Sequence, residues 1–208
     1  MATRMTSFMV VLVLAAATVV CTQASGPQAA AAGTADKRLA ADYAFVVRQG
    51  DREQTIGALR ELKTGDQFKL RVRSRQPIWA YFFVSSDEQT FDLVLPKEGE
   101  QGQSASVGRN RWTELPAGDE WLRFDRKRGI ERLYLVLATA KVPDIEDLIK
   151  SGRKAPGVDE TWVLDLRQKY GAGMTSGRDQ RLEAVTLTGR NPDRAPTVVV
   201  EEFVVRHK

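Results

Sequence analysis

The sequence predicts an all-β domain, mainly an antiparallel β-sandwich with one short helix insert, preceded by a signal peptide and an alanine-rich tether. Three observations predict it. From Tyr43 onward apolar residues recur mainly with a period of two, the period of a strand buried on one face. Residues 78–84 (IWAYFFV) are apolar at every position, as a central strand covered on both faces requires, and residues 130–140 are a second candidate of that kind. Ahead of these, Arg4 with no acid precedes an unbroken apolar run at residues 8–20, the layout of an export signal.

That run is thirteen residues long. A spanning helix needs about 20 apolar residues, whereas the apolar core of a signal peptide needs roughly 7 to 15 before a small-residue cleavage site. Thr22-Gln23-Ala24 supplies such a site, with Ala30-Ala31-Ala32 as a later one. Val20 stands before Cys21, where lipoprotein processing requires a small residue, which argues against a lipid anchor. The expected organisation is a signal peptide at 1–24, a linker at 25–41 rich in Ala and Gly, and one β-rich domain at 42–208. The expected location is exported, periplasmic or secreted, with no membrane span after cleavage.

Along the domain, Tyr43, Phe45 and Val47 open a first strand that ends at Gly50-Asp51. Residues 55–62 form a weaker extended segment closing at Lys63-Thr64-Gly65-Asp66. Phe68, Leu70 and Val72 alternate with Lys69, Arg71, Arg73 and Arg75, so one face of that strand is apolar and the other cationic. Pro77 opens the apolar strand, and residues 91–95 pair back on it as far as Pro96. Residues 97–107 are polar and Gly-rich, a surface loop. Residues 112–115 and 121–124 are short strands around Pro116-Ala117-Gly118-Asp119. Residues 143–150 (PDIEDLIK) form the helix, with Asp144 as N-cap, acids in the first turn and Lys150 at the end. Residues 161–166 return to alternation, 170–177 form a glycine loop, 182–187 are extended, and 197–205 close the sheet.

Taken in order, several motifs resemble the bacterial "domain of unknown function 4384" family. They are Leu62-x-x-Gly65-Asp66-x-Phe68-x-Leu70-x-Val72, Ala80-Tyr81 in an aromatic strand, Leu93-Val94-Leu95-Pro96, Leu115-Pro116, Phe124 and Gly129-Ile130-Glu131-Arg132-Leu133. The resemblance is strongest over residues 43–148. It implies an exported domain associated with envelope, kinase or protease-like modules, and it implies no catalytic residues. The chain departs from the pattern at Leu93-Val94-Leu95-Pro96, where the family has a shorter Leu-aromatic-Pro, and at Asp87-Glu88-Gln89, where its hairpin commonly has Gly.

One Cys and one His exclude Cys-rich zinc sites, His clusters and nucleophile–His arrays built from several such residues. Lys and Arg number 31 against 27 Asp and Glu, a net charge of +4 too evenly spread for a nucleic-acid binder. No cofactor or metal is expected. Ser151-Gly152-Arg153-Lys154 matches a Ser-x-x-Lys acylation motif, but its serine should open a buried helix, whereas Ser151 sits where a helix ends and Gly152 breaks the spacing to the lysine. His207 lies beside the C-terminus, where side chains are commonly mobile. The pairs Asp159-Glu160 and Glu201-Glu202, read as strand neighbours, point to opposite faces and do not converge.

Two candidate sites remain. Lys69, Arg71, Arg73 and Arg75 share a strand face about 7 Å apart and, with Arg126, Lys127 and Arg128, form a candidate anion-binding ladder. Trp79, Tyr81 and Phe83 share another face and offer either core packing or an aromatic contact surface. These features point to a non-catalytic binding or scaffolding module of the bacterial envelope, whose partner is an anionic polymer or an envelope protein. A hydrolase with a site built of carboxylates alone is the alternative.

Overall fold

In a computed structural model of the protein, the described residues are 38–85, 90–96, 106–123, 129–151, 159–171, 173–179, 184–191 and 196–208. The signal-like run, Cys21, most of the tether, Arg126, Lys127, Arg128 and the end of the Ser-x-x-Lys match lie outside them. The elements in order are β1 (Arg38–Gln49), β2 (Arg52–Ile56), β3 (Glu61–Leu62), β4 (Gln67–Ser74), β5 (Ile78–Ser85), β6 (Asp92–Leu95) and β7 (Ser106–Val107). There follow β8 (Thr113–Leu115), β9 (Leu122–Arg123), β10 (Gly129–Ala138), α1 (Pro143–Lys150), α2 (Glu160–Tyr170), β11 (Gly173–Asp179), β12 (Ala184–Arg190) and β13 (Val198–His207).

These strands make two sheets, as the alternation predicts. The first runs β11-β12-β1-β4-β8, with β2 on β1 and β9 on β4; the second runs β3-β13-β10-β5-β6, with β7 on β5. All pairs are antiparallel except β13 with β3. Leu39, Tyr43, Phe45, Phe68, Leu70 and Val72 of the first sheet meet Phe82, Leu133, Leu135 and Phe203 of the second in the sandwich core. Phe45 lies edge-on to Phe203 at 5.1 Å, and Phe68 to Phe82 at 6.1 Å. Such edge-to-face pairs add to the area they bury.

A second core lies on the outer face of the second sheet. Here α1 and α2 cover Tyr81, Phe83, Tyr134, Val136 and Val200 with Val142, Ile145, Leu148, Val163 and Leu166. The described residues therefore form three layers, first sheet, second sheet and helices. This layer explains why residues 78–84 are apolar throughout: Phe82 faces one core and Tyr81 and Phe83 the other.

Several expectations are corrected. Residues 161–166 are not a strand but the body of α2, because Asp159 caps it by accepting from the Trp162 backbone N–H at 2.9 Å. Val163, Leu166 and Tyr170, spaced three and four apart, are its buried face. Asp144 is not the cap of α1; Val142 occupies that position without a side-chain bond, Pro143 opens the helix, and Asp144 reaches α2 instead. Residues 173–179 are strand rather than loop, paired along their length with β12. The first strand starts at Arg38 and buries Leu39 and Ala41, so it reaches into the segment that composition assigns to the linker.

His207 is fixed, not mobile. It is 2% exposed, its Nε2 is 3.1 Å from the Thr64 hydroxyl oxygen, and Nδ1 faces Glu131 at 3.7 Å. The cause is β3, which pairs in parallel with the end of β13 and encloses it. Among the described residues no helix is long and apolar enough to cross a membrane.

Candidate anion-binding cleft

The cationic strand face is real, and the structure divides it. Lys69 is 4% exposed, with its ammonium 3.4 Å from Glu114, bonded to the Gly118 carbonyl and 4.8 Å from the Trp121 ring centre. Arg71 stands opposite Glu114 in register, 3.7 Å from its carboxylate and 5.3 Å from the centre of Trp112. Arg73 stands opposite Asp42, which it grips through Nε at 3.0 Å and Nη2 at 2.6 Å while lying 4.9 Å from the centre of Trp112. Arg48 joins the same layer over Trp121 at 3.9 Å and bonds Glu53 opposite it.

Directly opposed charges and stacked cations of this kind stabilise a sheet face. Ala44 and Val46 lie beneath this layer, opposite Arg71 and Lys69, and are buried although they face away from the sandwich core. Lys69 is thus structural, and Arg71 and Arg73 are both half-buried and paired, with Glu114 and Asp42 respectively. Of the four predicted ladder residues, Arg75 is the exposed one.

The aromatic candidates are also relocated. Tyr81 and Phe83 are fully buried under the helices, where the Tyr81 hydroxyl donates to Glu146 at 3.0 Å and accepts from the Val142 N–H at 3.3 Å. Burial, with the Glu146 charge beside it, pushes that phenol far above its usual pKa. Phe83 packs on Trp162 at 5.4 Å. Trp79 stays partly exposed, with Lys141 over its ring at 4.8 Å. The stripe is core and offers no continuous stacking surface.

Arg73 and Arg75 lead into a cleft of about 720 Å³ at one end of the first sheet. Its shape follows from register. On the outer face, Asp42 of β1 is flanked by Thr186 of β12 and Arg73 of β4, while Arg38 is flanked by Arg190. Between those rows stands Ala40, beside Thr188, with only a methyl group. A small residue among long ones leaves a depression whose rim is arginine, threonine and Asn110.

The surrounding chain holds that rim in place. The Ser74 hydroxyl donates to the Ala40 carbonyl at 3.1 Å, the Gln76 amide to the Arg38 carbonyl at 2.8 Å, and the Asn110 N–H to the Ser74 carbonyl at 2.7 Å. Asn110 takes a left-handed φ of 57°, which turns the loop back over the end of β4. The same loop brings Arg109 beside Ser74 and lays Arg111 across Gly108, where a Cβ would come within 2.7 Å of Nε.

Six arginines, namely 38, 73, 75, 109, 111 and 190, therefore gather at this end. Among the described residues the acid lining the cleft is Asp42, with Oδ2 on Arg73 and Oδ1 accepting from the Thr186 hydroxyl at 2.7 Å. Sequence reasoning found Arg73 and Arg75 but missed the others. Arg38 was hidden in the presumed linker, and Arg190 and the Arg109 loop meet β1 and β4 only through long-range pairing. The one usable signal was local, the run Arg109-Asn110-Arg111.

The carboxylate pairs behave differently from each other. Glu201 points toward Tyr43, whose hydroxyl donates to it at 3.2 Å, and Glu202 points the other way to Arg132 at 3.0 Å. Burial raises the Glu201 carboxyl pKa despite that hydrogen bond and the Arg167 charge nearby. Asp159 is a helix cap rather than half of a strand pair. Among the described residues no group of three or more His, Cys, Asp or Glu could hold a metal ion. No protein-family model, curated protein or solved structure matches the chain.

Proposed function

We propose that the chain is an exported, non-catalytic binding module of the bacterial envelope that holds an anionic polymer at the arginine-rich end of its first sheet. The observation that carries the reading is the cleft over Ala40, rimmed by Arg38, Arg73 and Arg75 with hydroxyl and amide groups between them. Guanidinium groups are planar, permanently charged and weakly hydrated, and they pair with oxyanions through two parallel N–H bonds. Gathered on one concave surface where, among the described residues, the acid is Asp42, already bonded to Arg73 and Thr186, they favour an anion over any neutral or cationic ligand. The apolar run at residues 8–20 supports export, and the motif order resembling the domain of unknown function 4384 family supports an envelope setting.

The test is retention of the full domain on an immobilised polyanion across a salt gradient. Arg38→Glu with Arg75→Glu should elute at much lower salt than wild type while melting at nearly the same temperature, since both side chains sit on the rim. Arg60→Glu with Lys63→Glu makes the same charge change beside β3, at the far end of β1, and should elute close to wild type. Equal loss of retention in the two double variants would mean that net charge alone binds the polymer, and the cleft would have no role.

A further inference from the structure

We infer that Thr64 is a covalent attachment site, a surface hydroxyl that takes an acyl group from an activated ester. Three side chains carry the inference, and none belongs to the cleft. Thr64 is exposed on the turn that follows β3, His207 is buried beneath it at the end of β13, and Glu131 is buried behind His207 on β10. The Thr64 hydroxyl oxygen is 3.1 Å from His207 Nε2, and Nδ1 on the other side of the ring faces a Glu131 carboxylate oxygen at 3.7 Å. Hydroxyl, imidazole and carboxylate thus stand in the order that lets a ring take a proton from a nucleophile while an acid steadies the charge.

Backbone pairing assembles the three. His207 stands opposite Gly129 and Glu131 opposite Val205, which makes His207 and Glu131 diagonal neighbours on one face of the second sheet. On its other side His207 is paired with Leu62, two residues before Thr64. The Asp66 N–H donates to the Lys63 carbonyl at 3.0 Å, and Gly65 takes a left-handed φ of 92°, so the turn that presents Thr64 is closed. The Lys208 N–H donates to the Leu62 carbonyl at 2.9 Å and fixes the turn to the end of β13. A carboxylate facing Nδ1 favours the tautomer with its hydrogen there, which leaves Nε2 to accept from the Thr64 O–H.

In the transfer, Thr64 Oγ1 bonds to the acyl carbon of the ester while its proton passes to Nε2. The tetrahedral adduct expels the alkoxide or phenolate, which takes the proton from Nε2, leaving a Thr64 ester and a free alcohol or phenol. The imidazole is wholly buried under Thr64, so an ester formed there closes the route by which water would reach Nε2. The group stays on the protein. One transfer per molecule follows, in keeping with a module that holds a partner and does not turn over.

The experiment treats the full chain with p-nitrophenyl acetate and maps acetylated peptides over time. Thr64 should react about a hundredfold faster than Thr161, an exposed hydroxyl at the start of α2, the gain that a positioned base supplies. Thr64→Ser, which keeps the hydroxyl, should retain the advantage, and His207→Gln should bring Thr64 down to the rate of Thr161. Glu131 is a positioning residue. Glu131→Gln should slow the reaction several-fold and lower the pH of half-maximal rate, because the protonated ring loses its carboxylate.

Equal rates at Thr64 and Thr161 would overturn the assignment, as would a fast Thr64 in a His207→Gln protein that melts near wild type. Should His207→Gln not fold, an unchanged rate and pH profile in Glu131→Gln would overturn it instead. Thr64-dependent release of nitrophenol beyond one equivalent would replace attachment by hydrolysis, and would overturn the non-catalytic reading with it. Polyanion retention tests the cleft separately, at the other end of β1.

Discussion

A methyl group at position 40 and a phenol at position 43 settle much of what the first sheet can do. Ala40 opens the cleft outward, while Tyr43, three residues along the same strand, supplies the inner face with a hydroxyl for Glu201. Glu201 is half-buried and its carboxyl pKa is raised, chiefly by desolvation, with the Tyr43 bond working against the rise. A carboxyl raised in the folded state favours folding below its unfolded pKa and costs stability as pH climbs through the folded value. Tyr43→Phe removes the partner of the charged form, so its cost is pH-dependent. We expect about 1 to 2 kcal/mol of destabilisation near pH 7, and distinctly less near pH 4, where a normal carboxyl is already largely protonated. Denaturant titrations at both pH values check this, and an equal loss at the two would mean that Glu201 is not the group stabilised.

At the scale of elements, the fold was legible wherever side-chain pattern and backbone pairing agree. Strands β1, β4, β5 and β10 announce themselves by alternation or by continuous apolar runs, and α1 by Pro143 and its acidic first turn. Helix α2 was obscured because Trp162, Leu164 and Leu166 imitate alternation, and Thr161, Trp162 and Val163 favour strands intrinsically. The Asp159 cap and the covered second core override both, leaving Leu164 about half exposed at 51%. Strand β11, with two glycines and few strand-forming residues, exists through its hydrogen bonds to β12, a partner that lies later in the chain. The cleft was half legible for the same reason: residues along one strand can be read from spacing, and neighbours from other strands cannot.

Asp144 is what joins the two helices, accepting from Lys169 at 2.9 Å and Tyr170 at 2.6 Å. Burial pushes its carboxyl up, but those hydrogen bonds and the Lys169 charge outweigh it and hold the pKa below the ordinary value. Such a group adds stability above the unfolded carboxylate pKa, and that stability is lost as pH falls through the folded value. Asp144→Asn should therefore cost on the order of 1 kcal/mol near pH 7, discounted for the exposure of Lys169, or about 2 to 4 °C in melting temperature. The gap between variant and wild type should close as pH drops below about 4. A gap that persists in acid would assign the loss to packing instead.

Across the whole molecule, β10 is the strand on which both cores depend. Leu133, Leu135 and Leu137 enter the sandwich core, Tyr134, Val136 and Ala138 enter the helix-covered core, and neighbours β5 and β13 pair along most of its length. The first sheet has no such strand, because the outer face of β1 and β4 carries the cation–tryptophan layer at one end and the open cleft at the other. Phe82→Ala and Phe83→Ala remove large buried side chains from the two cores on the same strand, and each should cost about 3 to 5 kcal/mol. Global stability should then be set by the second sheet, with opening that starts at the β11–β12 edge of the first. In native-state hydrogen exchange, amides of β10 and β5 should be the last to exchange, at a free energy near that of full unfolding. Those of β11 and β12 should exchange earlier, and binding of polyphosphate in the cleft should slow β12 and the start of β1 while leaving β10 unchanged. Peptides from β1 and β4 that outlast β10 in the unliganded protein would show that the sandwich core alone holds the fold together, and the helix-covered layer would then be an addition to it rather than half of its foundation.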